Sequence, residues 1–170
     1  MPTTKKLKAK SRKERVLVLG VGNTLLSDDG VGVHVTEILR SQNSFGEHIS
    51  IRDGGTIGLS LLPEIEQADR LIVVDAARIE GPPGTVQTFE NAEMDAHLST
   101  ARSTVHEVAL ADLLDAAALS GAAPKIRTLV AIQPEYTRWG LEPTPLVKAA
   151  IPIACTAVRD IIERWSDELD

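Results

Sequence analysis

Short unbroken apolar runs alternate along the chain with longer stretches in which apolar residues recur every three or four positions. Arg15-Val-Leu-Val-Leu-Gly-Val21, Leu71-Ile-Val-Val-Asp75 and Ile126 to Ile132 are of the first kind. Their β-branched content and closing turn residues predict strands buried on both faces. His48 to Arg52 predicts a weaker strand, closed by Asp53-Gly54-Gly55-Thr56. Val31, Val35, Ile38 and Leu39 have helical spacing, as do Val108, Ala111, Leu114 and Ala118 before the stop at Gly121. Leu59, Leu62 and Ile65 predict a short helix. A last helix opens at Thr144-Pro145, with Val147, Ile151, Ala154, Val158, Ile161 and Trp165 as its buried stripe and Pro152 expected to kink it. Residues 91–105 read as polar and irregular.

Strands alternating with helices specify a single-domain α/β fold: a doubly wound, mostly parallel twisted sheet of about five strands flanked by helices. Thr85 to Phe89 reads as a strand after the turn Gly81-Pro82-Pro83-Gly84. That connection has no room for a crossover helix, so an antiparallel edge strand is expected there. The length of 170 residues fits one domain, and 43% apolar residues suffice for its core. Aromatics are only 3%, so Val, Ile, Leu and Ala must fill that core, and binding of single-stranded nucleic acid on stacked aromatics is disfavoured. The only cysteine, Cys155, excludes a disulfide framework and a Cys-based metal site, and its place beside the last helix's apolar stripe predicts an inert buried thiol. No apolar run approaches the roughly 20 residues that a membrane helix needs. The expectation is a soluble, cytoplasmic monomer with no membrane or nucleic-acid partner.

Charge is unevenly spread. Residues 1–15 hold seven Lys and Arg against Glu14, a net +6, which leaves −12 on the remainder of a chain whose total is −6. Such a body cannot extend a basic footprint, so residues 1–14 read as a disordered basic tail before a domain spanning 15–170.

Candidate chemistry lies in the loops after the strands. Gly20-Val-Gly22-Asn-Thr-Leu25 stands where a dinucleotide fingerprint would, but Leu25 replaces the third small residue, and Asp28 and Asp29 put anions where a phosphate would sit. A P-loop is absent, Ser60 lacks the second glycine of a nucleophile elbow, and no His-Glu-x-x-His helix exists. The acids say more. Asp29 follows the first strand, Asp53 the second and Asp75 the third, all at the carboxyl ends where open α/β sheets bind ligands. With a strand order beginning 2-1-3, Asp29 and Asp75 face one crevice, and two carboxylates there repel unless a cation or a shared proton holds them. A bland alternative stands beside this: Asp28 or Asp29 caps the first helix and Asp75 caps a turn. Of the four histidines, His34 and His48 read as surface or packing residues, and His97 has no periodic support. His106 opens a helix that packs on the sheet. Asp29, Asp75 and His106 together would make an O,O,N donor set with open positions, suited to nickel, zinc or a similar divalent ion.

Five ordered motifs carry a resemblance. Gly20-Val-Gly22-Asn23-Thr-Leu25-Leu-Ser-Asp28-Asp29-Gly30-Val-Gly32 resembles the opening signature of the nickel–iron hydrogenase maturation proteases, Asp53-Gly54-Gly55-Thr56 their second motif, and Leu71-Ile-Val-Val-Asp75-Ala76 their third. Ser103-Thr-Val-His106-Glu107 with Leu110-Ala-Asp112-Leu-Leu is similar to their histidine segment, and Ile132-Gln-Pro134-Glu135 with Leu141-Glu-Pro143-Thr144-Pro145 to their C-terminal block. The resemblance implies an endopeptidase that removes the C-terminal extension of a hydrogenase large-subunit precursor after nickel insertion. It implies Asp29, Asp75 and His106 as catalytic and metal-contacting residues, with nickel, or another divalent ion in its place, carried by the substrate. Hydrolysis is then either metal-assisted or of the aspartic type. Position 29 is Asp where some members carry Glu, one methylene shorter in reach. Substrate contact is expected at Gly22, Asn23, Asp53, Gly54, Gly55 and Thr56, and the exposed aromatics Tyr136 and Trp139 are expected to border the docking site. Because paired glycines admit a close backbone, Gly54→Val is expected to block docking and spare the fold. The alternatives are a nickel-binding chaperone or adaptor that holds the immature subunit without cutting it, and a nucleotide-binding module.

Overall fold

The computed structural model describes residues 12–56, 58–100 and 105–168. In chain order its elements are β1 (Val16–Val21), α1 (Val31–Ser41), β2 (Ile49–Gly55), α2 (Leu62–Gln67), β3 (Arg70–Ala76), β4 (Val86–Glu90), α3 (Ala92–Thr100), α4 (Val105–Leu119), β5 (Ile126–Ile132) and α5 (Pro145–Asp167). The sheet order is β2-β1-β3-β5-β4. All neighbours are parallel except β4, which runs antiparallel to β5 at the edge, as its short connection requires.

Strand alternation divides the core into two layers. Val16, Val18, Ile72, Val74, Val130 and Ile132 face α1 and α5. Leu17, Leu19, Leu71, Val73 and Leu129 face α2, α3 and α4. Gly20, the first glycine of the would-be dinucleotide fingerprint, and Gly32 are consumed in the first layer. A Cβ on Gly32 would lie 2.1 Å from the Val74 carbonyl oxygen, and one on Gly20 would lie 2.3 Å from the Gly32 carbonyl oxygen. They let α1 press onto β1 and β3.

The structure corrects three local expectations. Residues 92–100 form α3, whose Met94 and Leu98 are buried one turn apart. On α4 the buried face is Leu110, Leu113, Leu114 and Ala117, whereas Ala118 is exposed; this helix is apolar nearly all round, so its composition does not fix the phase. On α1, Ile38 is exposed and Val33 is buried. Helix α5 continues through Pro152, which lies on the solvent side.

Residues 1–11 of the basic tail lie outside the described residues. Arg12 and Glu14, counted with that tail in sequence, pair with Asp69 and with the buried Arg70, which also meets Glu168 at 2.9 Å and lies over the Trp165 ring. Among the described residues, no helix is long and apolar enough to cross a membrane.

Candidate active site

The strand order turns between β1 and β3, and the acids gather beyond the carboxyl ends of those two strands. After β1 the chain tightens into a 3-10 turn, Ser27–Gly30, whose residues are all buried and include Asp28 and Asp29. This turn is over-determined. Gly22 sits at φ +136°, and a Cβ there would lie 1.8 Å from the Asp29 carbonyl oxygen, so only glycine lets the backbone pass. Ser27 holds a left-handed φ of 50°, at a cost of about 1–2 kcal/mol for a residue with a side chain. Its amide donates to the Gly140 carbonyl at 2.7 Å and its hydroxyl to the Glu142 carbonyl at 2.8 Å. The Asn23 amide donates to Asp29 Oδ2 at 2.9 Å and anchors that carboxylate, whose other oxygen faces a second neighbour.

That neighbour is His106, whose Nδ1 lies 3.7 Å from Asp29 Oδ1. The helical phase explains the meeting: His106, Leu110, Leu113 and Ala117 share the inward face of α4. Asp75 reaches the same layer by strand alternation, on the side of Leu71 and Val73. It is 2% exposed, and its Oδ1 has no hydrogen-bond partner; the buried His106 Nδ1 lacks one too. Burial, and then the charges of Asp29 and Glu107, push the Asp75 carboxyl well above the usual carboxylate range, against a smaller lowering by the Ala76 amide. Asp75 is therefore poised to hold a proton beside Asp29. Two orphaned donor atoms next to an ionisable pair suit an incoming cation. Among the described residues, no three His, Cys, Asp or Glu side chains are already gathered to hold a metal ion.

Asp29 also borders a cleft of about 530 Å³, whose walls include Arg78, Gln133, Pro134, Glu135 and Thr137. Gln133 is pinned there by the Ile79 amide at 2.7 Å. The β2 end lies beside the turn: the Gly22 amide donates to the Gly55 carbonyl at 2.8 Å, and Asp53 Oδ1 caps its own turn by accepting from the Gly55 amide. Gly54 fills a beta-bulge, and a Cβ on it would meet the buried Leu19 side chain at 2.8 Å. The expectation that Gly54→Val spares the fold is thereby corrected. Asp53 and Thr56 are exposed at this rim, as are Tyr136 and Trp139 across the turn.

Two residues escaped the sequence reading. Asp28 does not cap α1; its fully buried carboxylate binds the segment after β5. His97 is packed in α3, stacked on Phe89 at 4.5 Å and 3.9 Å from the buried Glu107. His34 and His48 stand outside the site, and Cys155 is buried with its thiol pKa raised by burial. Ser103 and Thr104 of the histidine segment lie outside the described residues.

Two buried carboxylates and a histidine, with Asp29 lining a cleft in this sheet, describe a hydrolytic site more closely than a nucleotide site. Comparison with known proteins gives the class. The hydrogenase maturation protease family matches residues 33–161. The hydrogenase 2 maturation protease of Escherichia coli K12 is 39% identical over 145 residues, covering 85% of this chain and 88% of that one. The hydrogenase expression/formation protein HupD of Rhodobacter capsulatus is 36% identical over 160 residues, 93% of this chain and 76% of that one. The solved structure of the hydrogenase maturating endopeptidase HybD from Escherichia coli superposes with a TM-score of 0.83 at 36% identity, over 88% of this chain and 93% of that one. The chain belongs to the hydrogenase maturation protease family, whose members are endopeptidases.

Proposed function

We propose that this protein removes the C-terminal extension of a nickel–iron hydrogenase large-subunit precursor once nickel has been inserted, and that it reads the nickel with Asp29, Asp75 and His106. The observation that carries this reading is the pair of buried atoms without a hydrogen-bond partner, Asp75 Oδ1 and His106 Nδ1, beside Asp29, which lines a cleft. A metal that arrives already ligated by the precursor needs from the protease only a few further donors. Asp75 gives up its proton as the cation approaches, since the cation then offsets the burial and repulsion that held the proton there. His106 adds an imidazole donor. Nickel on the substrate then marks the scissile bond and polarises its carbonyl, or a carboxylate of the pair takes a proton from the attacking water.

The precursor's folded body lies on the rim around the cleft, with Asp53 and Thr56 on one side and the exposed Leu25, Tyr136, Trp139 and Leu141 on the other. In this reading Gly22, Asn23, Gly54 and Gly55 shape the backbone against which the precursor packs. The protein acts as a monomer in the cytoplasm. Intact-mass measurement of nickel-loaded precursor after incubation tests the reading. Loss of the extension with wild type and its retention with Asp29→Ala or His106→Ala is expected. Binding without any mass loss by wild type would instead favour a chaperone that holds the immature subunit.

A further inference from the structure

Asp28 takes no part in the chemistry above, yet its fully buried carboxylate accepts four hydrogen bonds from a segment more than a hundred residues away. Oδ2 accepts from the amides of Glu135 and Tyr136, both at 2.8 Å, and from the Thr144 hydroxyl at 3.0 Å. Oδ1 accepts from the Thr144 amide at 2.6 Å. The Asp28 amide returns a bond to the Tyr136 carbonyl at 3.1 Å.

The donor segment cannot hold itself. From Glu135 to Glu142 no side chain is buried, and no helix or strand forms. Its place is set by polar bonds at its ends and middle: Gln133 to Ile79, Gly140 to Leu25 and Ser27, and Asp28 to the rest. The same segment supplies Gln133, Pro134, Glu135 and Thr137 to the cleft wall and Trp139 to the rim.

We infer that Asp28 is a positioning residue: it fixes the 133–144 segment as a cleft wall in register with Asp29, so that the precursor meets the wall and the acids at a set spacing. The inference rests on the reading that this cleft receives the precursor. An ionised carboxylate suits the task because all four contacts are donors and charge strengthens each bond. An amide in its place presents an N–H to at least one of them.

The test compares wild type with Asp28→Asn and Thr144→Val, the second of which deletes only the hydroxyl bond. Hydrogen exchange is read at the amides of Glu135, Tyr136 and Thr144, and the dissociation constant is measured for nickel-loaded precursor alongside its processing. In Asp28→Asn, exchange at these amides should accelerate about tenfold or more while β1 and β3 stay protected. Precursor affinity should fall about tenfold, with kcat at saturating precursor within about threefold, the signature of lost positioning rather than lost chemistry. Thr144→Val should fall between the two, and it decides the matter alone if Asp28→Asn does not fold. Unchanged affinity in a folded variant whose amides exchange faster would overturn the inference, as would unchanged exchange. Wild type that neither binds nor cuts the precursor would instead remove the functional reading beneath it.

Discussion

Replacing Asp75 by Asn should stabilise the protein while abolishing its activity. The native carboxyl is buried, has an oxygen without a partner, and stands near Asp29 and Glu107, so its folded pKa is raised well above the ordinary value. In the unfolded chain it ionises near pH 3.9. Between that pH and the raised folded value, the folded state keeps a proton that the unfolded state has lost. Stability therefore declines as pH rises through this window, by up to about 1.4 kcal/mol per pH unit, and the loss is complete above the folded pKa. Asn carries no such loss, and its amide adds a donor beside the two carboxylates. Leaving a buried polar group unsatisfied costs about 1–3 kcal/mol, which sets the gain expected for Asp75→Asn at pH 8. Urea unfolding of both proteins from pH 4 to pH 8 checks this. The gap should be small at pH 4 and widen with pH. A variant less stable than wild type, or a gap independent of pH, would refute the reasoning.

Gly22→Ala should destabilise the fold by about 2–4 kcal/mol in the same unfolding assay, because the new methyl group meets the Asp29 backbone at a φ open only to glycine; wild-type stability would contradict the close approach. Trp139→Ala should leave stability within about 0.5 kcal/mol, since the ring is 72% exposed, but weaken precursor binding about tenfold in a titration. Unchanged affinity would remove Trp139 from the docking rim.

Strands β1, β3 and β5 were legible because strands buried on both faces leave unbroken apolar runs, and the antiparallel edge followed from one short connection. The placement of Asp29 and Asp75 beyond the carboxyl ends of β1 and β3, and of His106 on the first described turn of α4, was legible from the strand and helix patterns. What stayed hidden was decided by distant contacts. Helix α3 has only Met94 and Leu98 to mark it, and that pair of apolar residues four apart was its one local signal. The phase of α4 depends on which of many apolar residues meets the sheet. Asp28 was grouped with Asp29 as a possible cap, yet its partners, Glu135, Tyr136 and Thr144, are invisible to any local window. Gly54 read as free space for a partner, whereas its space is already occupied by Leu19.

Whether nickel on the precursor licenses the cut is decided by presenting wild type with two preparations of one precursor, nickel-loaded and nickel-free, and following each by intact mass. In the proposed reading a cation satisfies the buried Asp75 Oδ1 and His106 Nδ1, so the loaded precursor should lose its extension and the nickel-free precursor should keep it. Equal cleavage of both would leave a protease whose carboxylates act without reading a metal, and would contradict the account.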